Sequence, residues 1–168
     1  MTLKTYLAHL ETKDLKARTT CFLHKGDKIL LGLKKEGIGE GYYVGIGGKQ
    51  EKGETLKQTV KRELAEEINV TAIKFRLMAT LNFYFIQRKE WNQKVHAFIC
   101  DKWKGEISGS EEIEPQWFKI NALPFDKMWE DALFYLPFIV RNKRVEADFL
   151  YNSKDKVVDC RSKIYLTN

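Results

Sequence analysis

The apolar residues of this chain keep two different periods, and the switches between them mark its elements. Leu3, Tyr6, Leu7 and Leu10 recur at i, i+3, i+4 and i+7, the stripe of a short amphipathic helix. Residues 1–14 therefore read as a helical extension whose role is packing, with one domain over 15–168. From Thr19 the runs become strand-like: TTCFLHKGDKILLGL places two apolar stretches around a Lys-Gly-Asp turn, which predicts a hairpin. Seven of the eleven glycines then crowd between Gly37 and Gly53, a loop-rich segment where backbone can come close to a ligand. The helical period returns in ETLKQTVKRELAEEI, with Leu56, Val60, Leu64 and Ile68 four residues apart. Asn69 follows where a left-handed residue would stop the helix. Strands are predicted over about 70–87 and 92–101 and in EPQWFKI, a loop and short helix in LPFDKMWEDALFYLPFIV, and a closing hairpin around Asn-Ser-Lys-Asp. Strands on both sides of one long helix, without strict alternation, predict an α/β (α+β) fold. The expected architecture is a mixed β-sheet sandwiched between helices and finished by a β-hairpin.

Composition narrows this picture without redirecting it. A chain of 168 residues, 43% hydrophobic and 12% aromatic, can bury one sizeable core. Its N-terminus scatters charge among the apolar residues, and the longest apolar run, ALFYLPFIV, is too short to cross a bilayer. No membrane association is expected. Cys21, Cys100 and Cys160 are odd in number and lack CxxC or Cys/His spacing, which argues for reduced thiols in a cytoplasmic protein. The net charge of +6 suits a polyanionic ligand, and its sign alone does not choose among nucleotide, nucleic acid and anionic membrane.

Against that basic background the long helix ends in a crowd of acid. At about 100° per residue, Glu63, Glu66 and Glu67 share one side, and Glu67 falls between Leu56 and Val60 on the half-buried flank. A solvated charged face is the ordinary reading of a Lys/Glu-rich helix. Two features oppose it. Glu63 pairs with like charge at i+3 and i+4, and acids in a last turn oppose the helix dipole. Only Arg62, four residues before Glu66, is placed to pair with the cluster, and one guanidinium does not neutralise three carboxylates. A hard divalent cation does, through oxygen ligands shared with water and substrate phosphates, which the adjacent glycine loop is suited to receive. That loop is not a Walker A element, because Gln50 follows Lys49, and it lacks GxGxxG, because Gln50 breaks the run after Gly45 and Gly47. His96, alternating with Val95 and Ala97 in a predicted strand, reads as a polar or packing residue. His24, beside Lys25 and Gly26, reads as exposed turn.

Taken as one unit, Gly48, five residues, Glu54, seven residues and RELAEEINV resemble the Nudix box, G-x5-E-x7-R-E-U-x-E-E-x-G-U, where U is apolar. The one departure is Asn69 for glycine, and Asn is the next-best residue at a left-handed helix stop. The resemblance implies that Glu63, Glu66, Glu67 and the Gly47 carbonyl hold Mg²⁺, with Mn²⁺ as an alternative, while Arg62 and Glu54 brace the unit. By the same resemblance Lys49 meets phosphate or orients a carboxylate. The likeness extends over about residues 17–163 to the MutT branch, and in particular to oxidised purine nucleoside triphosphatases. It implies Glu112 as a further carboxylate facing the metals and Thr19, Lys34, Phe83, Phe85, Trp129 and Asp131 as the nucleotide pocket. Trp129 would offer a stacking face and Asp131 an acceptor to a purine edge.

The pocket also departs from those relatives, which carry asparagine at the position of Val44, aspartate at that of Ala132 and phenylalanine at that of Ile38. Loss of a buried hydrogen-bonding group removes discrimination more than affinity. The expected activity is a Mg²⁺-dependent pyrophosphohydrolase that releases monophosphate and pyrophosphate, sanitising oxidised purine dNTPs such as 8-oxo-dGTP. Metals would polarise phosphate oxygens and activate water, with Glu63 as general base and Glu112 as rival. The alternatives are another nucleoside-diphosphate-linked substrate (nucleotide sugar, dinucleotide polyphosphate or capped RNA) and a non-catalytic nucleotide sensor. The expected partner is a small nucleotide, with no stable nucleic-acid partner and a monomeric protein.

Overall fold

In a computed structural model, which describes residues 1–10 and 15–167, the glycine-rich segment wedges a hairpin open. Strands β1 (Lys16–Lys25) and β2 (Lys28–Lys34) pair only at His24–Ile29 and Lys25–Lys28. Beyond that point Ile46 exchanges backbone hydrogen bonds with Cys21 at 2.6 and 2.9 Å, and the Thr19 N–H donates to the Gly48 carbonyl at 2.9 Å. The predicted hairpin thus exists as a turn whose arms separate. Displaced from β1, strand β2 pairs instead with the short β3 (Tyr43–Val44) and with β6 (Ile113–Lys119).

On its other edge β1 runs parallel to β5 (Gln93–Lys104), and β5 pairs antiparallel with β4 (Thr71–Phe85). Strand β4 runs parallel to β7 (Lys143–Tyr151), and β8 (Val157–Leu166) closes antiparallel on β7 as the predicted final hairpin. The sheet is mixed, as expected. Its two faces are both buried, so residues along β1 alternate between two cores rather than between core and solvent. Cys21 and Leu23 join the cluster under helix α2 (Leu56–Ile68), whereas Phe22 joins the one under α3 (Ala132–Ile139).

Helix α2 follows from its local sequence. Thr55 caps it, accepting from the Gln58 N–H at 3.2 Å while the Gln58 side chain accepts from the Thr55 N–H at 2.8 Å, a reciprocal box that satisfies two orphan donors. Leu64 and Ile68 are completely buried, each contributing about 1.5–3 kcal/mol. Asn69 ends the helix at φ 60° and ψ 34°, the left-handed stop anticipated above. Helix α1 (Leu3–Ala8) is shorter than the apolar stripe, with Leu10 packed beyond its end. It covers Tyr84 and Leu150, and its Tyr6 hydroxyl donates to the Phe85 carbonyl at 3.2 Å. The boundary expected between 14 and 15 abuts residues 11–14, which lie outside the described residues. Among the described residues no helix is long and apolar enough to cross a membrane.

Candidate active site

The acidic end of α2 is organised around Arg62. Its Nε and Nη2 grip Glu54 at 2.7 and 3.0 Å, Nη2 also donates to the Lys49 carbonyl at 3.0 Å, and Nη1 donates to Glu63 at 2.9 Å and Glu66 at 3.2 Å. Glu54 accepts in addition from the Thr59 hydroxyl at 2.9 Å and the Glu51 N–H at 3.1 Å. The guanidinium and these donors hold the Glu54 carboxyl down at about 2, because they favour its charged form. The glycine loop is thereby tied to the helix at a fixed distance.

Two glycines make the approach close. A methyl group on Gly48 would lie 2.3 Å from Glu63 Oε1, and one on Gly47 would lie 2.1 Å from the Thr19 carbonyl. The Gly47 N–H donates to Glu67 Oε2 at 3.0 Å, whereas the Gly47 carbonyl accepts no hydrogen bond among the described residues. Glu67, on the half-buried flank by its helical phase, is 9% exposed. Burial first, and the Glu63 charge next, push its pKa up to about 7, against the pull of the Gly47 N–H and Lys34. Burial likewise raises Glu63, partly offset by Arg62, and the Glu112 charge bears on both residues. Glu112 itself is exposed on the loop before β6.

This donor set fits a hard divalent cation. Glu63 and Glu67, both raised by burial and by neighbouring carboxylate charge, lie against Gly48 and Gly47, whose Gly47 carbonyl is unpaired among the described residues, while the guanidinium beside them is already occupied by Glu54. Among the described residues no three such side chains already converge on one point, since Arg62 draws Glu63 and Glu66 toward Nη1. A cation would compete with that contact.

Beside this face opens a cavity of about 460 Å³. Lys34, Phe83, Phe85, Trp129 and Asp131, all expected in the pocket, line it. Phe83 stacks on Phe149 with centroids 5.4 Å apart, and Phe85 on Tyr151 at 5.0 Å. Trp129 meets the Tyr151 ring edge-on at 6.0 Å. Asp131 is buried and accepts from the Tyr151 hydroxyl at 2.5 Å. Burial raises its carboxyl to about 6, with the Tyr151 hydrogen bond pulling the other way. Ile38, Val44 and Ala132 also line the cavity, so the departures noted in the sequence fall on its walls.

One expected pocket residue lies elsewhere. Thr19 points to the opposite face of β1, where its hydroxyl is buried without a partner, and Thr20 lines the cavity instead. A strand's side chains alternate, so a one-residue difference in phase exchanges the faces. Lys49, expected to meet phosphate or orient a carboxylate, is exposed on the glycine loop, where its carbonyl accepts from Arg62 Nη2. His24 is no bare turn residue either, since it sits in β1 with Nδ1 2.9 Å from Asp101 Oδ1. His96 is half-buried with Nδ1 unpartnered. Arg18, Gln93 and Tyr151 line the cavity and were not anticipated. The only sequence signal for Gln93 is its place two residues before Val95 and four before Ala97, on one face of a predicted strand, and for Tyr151 there is none.

The NUDIX domain pattern matches residues 14–137. The chain belongs to the Nudix family. It is 38% identical over 132 residues, 79% of this chain and 84% of the other, to a Danio rerio protein named oxidized purine nucleoside triphosphate hydrolase. A Mus musculus protein of the same name is 34% identical over 78% of this chain and 83% of its own. The crystal structure of a Bacillus halodurans MutT protein superposes with a TM-score of 0.80 at 24% identity, covering 89% of this chain and 98% of that one; at that identity the likeness speaks for the fold. This Nudix chain is thus a hydrolase of a family that generally uses divalent cations and whose members act on small nucleotides.

Proposed function

We propose that the protein is a Mg²⁺-dependent nucleoside triphosphate pyrophosphohydrolase, with Mn²⁺ able to substitute, that acts on oxidised purine dNTPs such as 8-oxo-dGTP. The observation that carries this reading is the double position of Gly47. It hydrogen-bonds the buried Glu67 on one side and lines the aromatic cavity on the other. A nucleotide with its base in the cavity would present its phosphates to the carboxylates. The names of the zebrafish and mouse relatives support the choice of substrate.

In this reading Glu63, Glu66, Glu67 and the Gly47 carbonyl hold the cation, with Glu112 contributing charge from its loop. The cation would neutralise phosphate oxygens and acidify the attacking water. The residues of the chain do the rest. Arg62 and Glu54 fix the loop against the helix, and Lys34, which lines the cavity and whose charge reaches Glu67, binds polyphosphate. Glu63 takes the proton from water as it attacks phosphorus. One phosphoanhydride P–O bond breaks, and monophosphate and pyrophosphate leave. Glu63 is our assignment over Glu112 because it is held in place beneath Gly48, whereas Glu112 is exposed.

Pyrophosphate release with Mg²⁺ tests this directly. The expected result is faster release from 8-oxo-dGTP than from dGTP. Equal rates would remove the sanitising role and leave hydrolysis, and no release across a broad nucleotide panel would leave a sensor. Glu63→Gln should cost about 10²–10⁴-fold in kcat, the range for a lost general base, and Glu112→Gln less. The reverse order moves the base to Glu112.

A further inference from the structure

Strand register lays out the floor of the cavity in rows, and each row changes chemistry from one end to the other. Lys16 on β1 stands beside Gln93 on β5, Gln93 beside Phe83 on β4, and Phe83 beside Phe149 on β7. The next row runs Arg18, Val95, Leu81, Ala147. The β4 and β7 side is an aromatic platform, while the β1 and β5 side is polar. A ring stacked on the platform would turn one edge toward Gln93.

The polar groups around the cavity differ in whether they are already used. Asn92 is spent, since its Oδ1 accepts from the Phe85 N–H at 2.8 Å and its Nδ2 donates to the Tyr6 hydroxyl at 3.1 Å. The Tyr151 hydroxyl is committed to Asp131, and Lys16 Nζ donates to the Glu90 carbonyl at 3.1 Å. Val44, Ile38 and Ala132 carry no side-chain polar atom. Gln93 is half-buried on the cavity floor, and its amide makes no hydrogen bond to any described residue. An amide that no protein group pairs is free to pair with a ligand, and such a group in a pocket fixes orientation and specificity.

We propose that Gln93 is the residue that reads the purine edge, an assignment that takes its ligand class from the hydrolase reading above. A carboxamide offers one donor and one acceptor side by side, so it pairs bidentately only with an edge offering the complement. Guanine presents two acceptors there, O6 and N7. Oxidation at C8 puts a hydrogen on N7, and the edge becomes acceptor plus donor, which the amide matches. Adenine, with its N6 amino group and N7, matches as well. 8-Oxoadenine presents two donors and does not. Gln93 therefore selects 8-oxoguanine over guanine while giving 8-oxoadenine no such advantage. Recognition has moved from the walls at 44 and 132 to the sheet floor.

Binding of monophosphates tests this apart from turnover. Trp91 and Trp129 line the cavity, so tryptophan fluorescence reports titration with 8-oxo-dGMP, dGMP, dAMP and 8-oxo-dAMP without metal. The native protein should bind 8-oxo-dGMP about tenfold or more tightly over dGMP, the scale of one bidentate pair. Gln93→Leu should bring those two affinities together. Gln93→Glu, which offers only acceptors, should reverse the order and favour 8-oxo-dAMP over 8-oxo-dGMP. An unchanged 8-oxo-dGMP to dGMP ratio in the leucine variant, or the native order in the glutamate variant, overturns the assignment. So does a native protein that binds none of the four. Glu keeps the volume of Gln, so the test survives if the leucine variant fails to fold. The hydrolase reading stands or falls separately, on pyrophosphate release.

Discussion

The carboxylate face and the base cavity adjoin at Gly47, yet they are built from opposite kinds of contact. Around Arg62 the polar partners are committed in the resting protein: Glu54 alone accepts from the guanidinium, a hydroxyl and a backbone N–H. Across the cavity floor, Gln93 and Thr20 have no side-chain partner among the described residues. The first arrangement suits groups that must stand in one place whichever base arrives, since catalytic positioning tolerates little displacement. The second suits groups whose pairing is completed by the ligand, where an unmet partner is the penalty for the wrong one. Rigidity and selectivity are thus assigned to different halves of one site.

The sharpest way to break that division is to remove its hub. Arg62→Ala leaves Glu54 and Glu63 facing each other without the cation that joins them. The Arg62 side chain keeps 23% of its exposure, so the loss should fall short of a fully buried pair, on the order of 2 to 3 kcal/mol. Arg62→Lys should rescue little, because an ammonium does not span the bidentate fork. Thermal unfolding and Mg²⁺ titration check both. Nucleotide monophosphate binding in the cavity should be much less affected than either, and a parallel loss would show that the halves are one unit.

The converse change lies in the cavity. Trp129→Ala removes a ring at the cavity wall, and the lost stacking should weaken nucleotide binding by roughly tenfold to a hundredfold. The gain in unfolding temperature that Mg²⁺ gives should respond little. Isothermal titration with nucleotide and with Mg²⁺ alone separates the two effects.

How much of each half could be read in advance follows from the same contrast. The carboxylate face comes from residues 47–69, contiguous in the chain, so helical phase, the glycine spacing and the Asn69 stop place Glu67 on its flank from sequence alone. The aromatic members of the cavity came through family likeness. So did Lys34 and Asp131, but Arg18, Gln93 and Tyr151 did not, because they meet only through strand pairing between distant segments. Thr19 shows the remaining difficulty. Both faces of β1 are buried, so its apolar pattern carries no preference for one phase, and only the Cys21–Ile46 pairing with the glycine loop settles which threonine faces the ligand.

A smaller effect comes from Glu67. Its pKa is raised to about 7 by burial and by Glu63, above the ordinary carboxylate value it would have unfolded. The folded protein therefore holds the proton more tightly, and metal-free stability from this group is full below about 4.5 and is lost as pH rises toward 7. A cation competes with that proton. The stabilisation by Mg²⁺ should be larger at pH 8 than at pH 6, and Glu67→Gln should flatten the difference. Thermal melts with and without Mg²⁺ at the two pH values measure it, and equal Mg²⁺ gains in the native protein would detach Glu67 from the cation site.

The smallest expected effect tests the phase of β1. The Thr19 hydroxyl is buried without a partner, so Thr19→Val, which keeps the shape and removes the unpaired oxygen, should be neutral or stabilising by up to about 1 kcal/mol. It should leave the KM for nucleotide unchanged. Thr20→Val acts on the cavity wall, where the hydroxyl is open to a ligand, and should raise KM by a few-fold with little change in unfolding temperature. A KM effect from Thr19 and none from Thr20 would put the opposite face of β1 against the nucleotide. The pairing that sets Lys16 beside Gln93 and Thr20 beside Ala97 would then have to shift with it, because both contacts belong to the parallel register of β1 with β5.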